Sequence, residues 1–387
     1  MPVAVASSPR KPSEMQLTRD SSNFQNQRLL WQFLPQLGQW LGIMGAIACC
    51  WAAPVWAESA PMSAPMVVSP SVTDPSALAS APVSAPIAIP ATPRPQLAQD
   101  LVNNPGDPGT FDRFWADLAG SQVIYLGEVH DRSADVPIKL EVIHRAFQQV
   151  ENFSRQGQPG RLVIALEMFQ QPFQSVLDDY LAGRIDEATL RDRTEFDQRW
   201  GFDWEIIAPI LRWARDRGVA VVALNLPVEV TRQIGRQGWD ALPAEAWQWL
   251  PPPHELQLGS AGYRAWLREI YDEIHQQHGV SAQSSAQSSA IADRTERFNR
   301  FLAAQAAWDE TMAAGIARLL RRPGDRVVTI LGRGHMVYGW GVPDRLARRK
   351  PDVVQRSILL GPLEAPEIYR DGRSISHYWW PSARSTP

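Results

Sequence analysis

From residue 122 onward, four short runs of continuous apolar residues punctuate the chain, and each stops at polar side chains. QVIYLGEVH carries Val123 to Leu126 as an uncharged, β-rich run and then presents Glu128 and His130 two residues apart. RLVIALE ends at Glu167, VAVVALN at Asn225, and VVTILGRGH at Arg333 and His335. Apolar runs of this length without alternation suit strands buried on both faces, and a spacing of two puts Glu128 and His130 on one side of an extended chain. Between the runs, apolar positions recur at helical spacing over Val136 to Val150, Phe173 to about Gly183, Asp203 to Arg217 and Glu296 to Arg321. Asp203 is placed to cap the third of these, with Trp204, Ile207, Leu211 and Ala214 on one face and Gly218 to stop it.

Strand alternating with helix predicts an α/β fold, a largely parallel central sheet covered by helices. Ligands of such sheets sit outside the carboxyl ends of the strands, so Glu128, His130, Glu167, Asn225, Arg333 and His335 are expected to converge there. One charged residue ending a strand is as readily an ordinary loop residue; polar residues at four such ends favour a site.

Pro227 to Gly279 interrupts the alternation with Trp, Pro and helix formers. The segment 226–295 is therefore expected to be a helical insertion or lid, with YRAWLREIYDEIH from Tyr263 to His275 as one of its helices. It contains SAQSSAQSSA at 281–290, a tandem polar repeat that reads as a flexible loop. His275 and His278 lie three apart, but Asp272, Glu273 and Gln276 around them favour a solvated face over a ligand pair. The helix from Glu296 carries Phe298, Phe301, Leu302, Trp308, Met312, Ile316 and Leu319 as its buried stripe. Gln305, Asp309 and Glu310 flank that stripe and must find partners, either in neighbouring loops or in the site.

Composition narrows the choices. With 387 residues the chain can bury one large core or two smaller ones without disulfides. A formal charge of -3 and the absence of a dense Lys/Arg run argue against nucleic acid as a partner. The two cysteines, Cys49 and Cys50, adjoin each other near the N-terminus, so thiolate chemistry is excluded from the folded part. Sixteen tryptophans are read as core and rim packing rather than as a stacking surface.

Residues 1–57 read as a signal peptide or membrane-targeting segment. The apolar part is Leu41 to Trp56, and Val55-Trp56-Ala57 offers a small-x-small cleavage site. An uncleaved anchor is a second reading, and lipidation of Cys49 through a lipobox-like Ala46-Ile47-Ala48-Cys49 a third. All three export the remainder to a periplasmic or membrane-anchored position. Residues 58–98, rich in Pro, Ala and Ser, read as an extended spacer, and 99–387 as the folded domain.

Several motifs are ruled out. In GRGHMVYGWG, Val337 stands where a dinucleotide fingerprint needs its third glycine, and no P-loop, G-x-S-x-G elbow or HExxH is present. What remains is Glu128, His130, Glu167, His335 and the helix carboxylates, a nitrogen and oxygen set suited to a divalent metal or to a cofactor pocket.

In order along the chain, LGEVHD at 126–131, ALEMFQQPFQ at 165–174, WGFDW at 200–204, ALNLP at 223–227, AQAAWDETMA at 304–313 and GRGHMVYGWGVP at 332–343 resemble the ChaN-like haem-binding proteins of the Tiki superfamily. The resemblance implies an exported haem-binding protein of the cell envelope linked to iron acquisition, a homodimeric pocket, and uptake partners in the periplasm or outer membrane. It also implies a tyrosinate axial ligand, which suits ferric iron. Tyr338 lies inside a family block and Tyr263 and Tyr271 in the insertion, with His335, Arg333 and Asn225 as further cofactor-binding candidates. The wider superfamily includes metal-dependent peptidases and esterases. In that alternative Glu128, His130, Glu167, His335 and Asp309 would hold a divalent metal, with Glu128 and Glu167 as catalytic carboxylates.

Overall fold

The computed structural model describes residues 108–277, 287–362 and 368–381. The targeting segment, the spacer, His278 and residues 281–286 of the polar repeat lie outside the described residues. In chain order the first part runs α1 (Pro108–Ala119), β1 (Val123–Glu128), α2 (Val136–Arg155), β2 (Leu162–Gln170), α3 (Gln174–Leu181), α4 (Glu187–Arg193), α5 (Phe196–Arg199), α6 (Ala208–Asp216) and β3 (Ala220–Asn225). Then follow α7 (Val228–Gln237), α8 (Ala261–Gln277), α9 (Gln287–Leu319), β4 (Arg326–Gly332), α10 (Val342–Arg349), β5 (Gln355–Leu360), the short hairpin strands β6 (Tyr369–Arg370) and β7 (Arg373–Ser374), and β8 (Tyr378–Trp380).

Six parallel strands form the central sheet in the order β3-β2-β4-β1-β5-β8. Every residue of β1, β2 and β4 is buried, which explains why their sequences do not alternate. Ile124, Leu126, Ile164, Leu166, Val328 and Ile330 face one core, packed with Phe114 and Leu118 of α1, Ile138, Val142 and Ile143 of α2, and Leu211 and Ala214 of α6. Each such aliphatic side chain contributes about 1.5–3 kcal/mol by leaving water. α9 packs against β2, β3 and α10.

The topology positions the site. The chain steps outward from β1 to β2 to β3, then returns to insert β4 between β2 and β1 before crossing to β5. The carboxyl ends of β2, β4 and β1 thus lie side by side where the winding reverses, which is where open α/β sheets hold their ligands.

Local expectations mostly hold, with instructive shifts. Asp203 does cap, accepting from the Glu205 N–H at 3.0 Å, but it opens a 3-10 turn over Trp204–Ile206. α6 starts anew at Ala208 because Pro209, at the second helical position, lacks a donor and is tolerated only in a first turn. Gly218 follows the helix at φ +63°, the left-handed conformation that suits glycine. Residues 287–290 of the polar repeat form the first turn of α9 rather than a loop, since Gln, Ser and Ala extend an existing helix without a new nucleation cost. β5 and β8 were not among the expected strands: β5 opens with Gln355-Arg356-Ser357, and β8 has only three residues. No helix of the described residues is long and apolar enough to cross a membrane.

Candidate functional site

β1 ends on Glu128, which has no exposed surface. The chain then turns so that His130 folds back, and its Nδ1–H donates to Glu128 Oε1 at 2.9 Å. The other oxygen of Glu128 accepts from the fully buried Lys139 ammonium on the first turn of α2. The ring of His130 stacks on Phe202, centroids 5.6 Å apart, and meets the edge of Trp200 at 5.5 Å. The WGFDW segment therefore walls this imidazole from solvent.

β2 contributes Glu167 through a register shift. Leu166 pairs with Ala223, but the next pairing is Gln170 with Asn225, so β2 carries extra residues where it leaves the ladder. A bulge of this kind re-aims the side chains that follow it. Glu167 Oε2 accepts from the Gly332 N–H at 2.6 Å, while Oε1 lies 3.8 Å from His130 Nε2 and 3.5 Å from His335 Nε2. Gly332 keeps this approach uncrowded: a Cβ would stand 3.3 Å from His130 Nε2 and 3.5 Å from Glu167 Oε2. His335, in the turn after β4, donates from Nδ1 to Asp309 Oδ1 of α9 at 2.7 Å, and the edge of Trp308 packs beside it. Asp309 Oδ2 accepts from the Tyr263 hydroxyl of α8, with Arg345 Nη1 3.5 Å away.

The result is one buried, charge-alternating chain: Lys139, Glu128, His130, Glu167, His335, Asp309, then Tyr263 and Arg345. Burial by itself would lower the His130 pKa, but the hydrogen bond to Glu128 and the nearby Glu167 and Glu128 carboxylates outweigh it and hold it at about 10. Burial would raise Glu167, yet the His335 charge and the His130 contact bring it down to about 2. His335 is raised against its own desolvation by Glu167 and Asp309, and Glu128 is lowered against its desolvation by Lys139 and His130. Both imidazoles are thus held protonated, with Glu167 ionised between them. His130 Nε2 is buried without a hydrogen-bond partner, with Glu167 Oε1 3.8 Å away. Such an array gathers two imidazoliums around Glu167 Oε1, where a proton can be exchanged once the groups close to hydrogen-bond distance.

Five expected site residues, Glu128, His130, Glu167, His335 and Asp309, do come together. They do not form a metal site: among the described residues no group of three or more His, Cys, Asp or Glu side chains is placed to hold a metal ion. The carboxylates are already engaged by Lys139, Gly332 and Tyr263. The divalent-metal alternative is not supported.

The cofactor-binding candidates are scattered. Arg333 turns away toward β5, donating to the Leu360 carbonyl at 2.7 Å. Asn225 is buried at the end of β3, with β2 between it and β4. Tyr271 is buried against Phe298, Phe301 and His275, and Tyr338 is buried beside Trp340 with φ +57°. Of these candidates His335 and Tyr263 join the chain of contacts, and burial together with Asp309 pushes the Tyr263 pKa well up. His275 donates to the Tyr271 carbonyl at 2.8 Å, so it serves its own helix.

Two members of the network were not anticipated, Lys139 and Arg345. Lys139 carried a usable signal, since it falls on the same helical face as Val142 and Ile143, where a solvated lysine would not sit. Arg345 had none, because its partners Asp309 and Glu310 lie about one helix and one strand earlier in the chain.

Comparison with known proteins adds a family. A model of the family described as haem-binding uptake, Tiki superfamily, ChaN matches residues 114–346, a range that holds every member of the network. A relative in Arabidopsis thaliana, the chloroplastic protein RETICULATA-RELATED 5, is 25% identical over 285 residues, 70% of this chain but 35% of its own length. This chain therefore spans about a third of that relative. Among solved structures, ChaN of Campylobacter jejuni with cofacially bound haem is 17% identical over 68% of this chain and 89% of its own, with a TM-score of 0.49. An erythromycin esterase, EreC, is 12% identical over 68% of this chain and 75% of its own, with a TM-score of 0.33.

Proposed function

The chain belongs to the ChaN-type haem-binding uptake family of the Tiki superfamily, and from that premise we propose that it binds haem in the cell envelope, as an exported protein tied to iron acquisition. The family match over residues 114–346 carries this reading. Export rests on the apolar Leu41 to Trp56 stretch and its cleavage-like Val55-Trp56-Ala57, and the uptake role on the family alone.

Within this reading the burial of the tyrosines bears on the choice of axial ligand. Tyr263, Tyr271 and Tyr338 do not fit that role as the chain stands: all three are buried, and the Tyr263 hydroxyl is given to Asp309. Of the seven tyrosines, six are buried and Tyr369, on β6, is 41% exposed. A tyrosinate supplied without rearrangement comes from Tyr369, beside the cations Arg370 and Arg373. An exposed ligand on a hairpin leaves the rest of the haem surface to be covered, which is the part a second copy of the chain would play. When bound, haem supplies iron as the cargo or redox centre.

Titrating the full chain with haemin is expected to give a saturable Soret spectrum that Tyr369→Phe shifts while Tyr263→Phe, Tyr271→Phe and Tyr338→Phe leave it in place. Absence of a saturable spectrum would sink haem binding. An unshifted spectrum in Tyr369→Phe would sink this ligand only.

The buried proton array favours a second reading, acid–base hydrolysis of an ester or peptide with Glu167 and His335 moving the proton. A panel of such substrates decides it: turnover abolished in Glu128→Gln and in His335→Ala supports hydrolysis, and none in the wild-type chain removes it.

A further inference from the structure

The C-terminal turns of α9 and α10 meet the Pro251-Pro252 segment across an open cleft of about 680 Å³. Four cations line it, Arg318, Arg321, Arg349 and Lys350, against one carboxylate, Glu255. Arg349 is spoken for, bonded to Glu255 at 3.0 Å and to Glu310 at 2.6 Å. The others are not. Among the described residues, no carboxylate pairs with Arg318 or Lys350, and Arg321 spends only its Nε–H, on the Arg318 carbonyl at 3.3 Å. Burial and the nearby Arg349 charge pull the Arg318 pKa down and outweigh the opposing pull of Glu255, which is itself bonded to Arg349.

Helix macrodipoles account for cations near C-terminal turns. They do not account for turning the cations of two helices toward one cleft, where they repel each other. The remaining walls are apolar, including Ala317, Leu320 and the two prolines. The volume is that of a small-molecule site and far exceeds one inorganic anion. Three unmatched cations exceed what a single carboxylate neutralises, whereas a phosphate dianion presents three oxygens to guanidinium forks and an ammonium.

We propose that this cleft binds a phosphate ester carrying an apolar body. The site is separate from the strand-end network: Arg318 lies nine residues beyond Asp309, about 13 Å further along α9 and toward the end of the helix that leads into the amino end of β4. The phosphate sits among Arg318, Arg321 and Lys350, and the organic portion lies against the prolines and Leu320. The same group could arrive on a soluble ester or as the headgroup of a membrane lipid.

Two probes separate these sources in the full chain: 1-naphthyl phosphate by calorimetry, with 1-naphthol as the neutral control, and sedimentation with phosphatidylcholine vesicles with and without phosphatidic acid. Arg318→Gln combined with Lys350→Gln removes no hydrogen bond or ion pair among the described residues and is compared with Arg232→Gln combined with Arg236→Gln, two exposed cations of α7. Binding of the ester, or of the phosphatidic-acid vesicles alone, that weakens about tenfold or more in the first pair and not in the second supports the site and names its source. No binding of either probe, equal loss in both pairs, or displacement of the ester by haemin would overturn it.

Discussion

Lys139 and Glu128 show what a single buried charge pair demands. Neither has exposed surface, and Glu128 also accepts from His130. Removing one partner strands the other in a medium that cannot solvate it, whereas removing both charges need not. Lys139→Met is expected to cost about 3–5 kcal/mol in denaturant unfolding, and Lys139→Met with Glu128→Gln distinctly less. A single-variant loss under about 1 kcal/mol would mean that the pair is not desolvated as described. Those residues that end apolar runs, such as Glu128, Glu167 and His335, were legible because a strand end fixes where a side chain emerges. The tyrosines were not: membership of a sequence block says nothing of exposure, and Tyr369 falls outside every block.

The elements themselves were legible wherever one period dominated. β1 to β4 and α2, α6 and α9 stand near the expected positions because burial on both faces and helical stripes leave strong patterns. The order β3-β2-β4-β1 could not be read, since which strand inserts between which is fixed by packing across the sheet. Edge protection was equally hidden. Among the described residues β3 pairs only with β2, and the side-chain amide of Gln174 closes its other side by donating to the Val221 carbonyl at 3.0 Å and accepting from the Ala223 N–H at 2.8 Å. One glutamine thereby imitates a neighbouring strand and blunts an edge that would otherwise recruit another chain. Gln174→Ala is expected to lower stability by about 1–2 kcal/mol and to speed aggregation on heating. An unchanged denaturation midpoint together with unchanged light scattering would refute this role.

Across the whole molecule, two regions at different strands pull the pH dependence of stability in opposite directions. At the β5/β8 edge, burial and the Arg356 charge hold His377 down to about 4, and its neutral Nδ1 accepts from Ser357 Oγ at 2.8 Å. Its folded value lies below the unfolded one, so its contribution is complete above pH about 6.5 and is lost as pH falls from there toward 4, a change of about 3 kcal/mol. In the strand-end network the sign reverses for His130. Held at about 10, it contributes fully below pH about 6.5 and loses that contribution as pH rises toward 10, with His335 acting in the same sense. Glu167, held at about 2, adds a further loss on the acid side only below pH about 4.5. The melting temperature is therefore expected to peak near pH 6.5 and to fall on both sides for separate reasons. His377→Gln tests the separation, because glutamine keeps a hydrogen-bonding group but cannot titrate. It should flatten the limb between pH about 4.5 and 6.5 while leaving the alkaline limb intact. An acid limb unchanged over that range would remove His377 as its cause, and the carboxylates of the buried chain that begins at Lys139 could not replace it, because Glu167, held at about 2, gives up its contribution only below pH about 4.5.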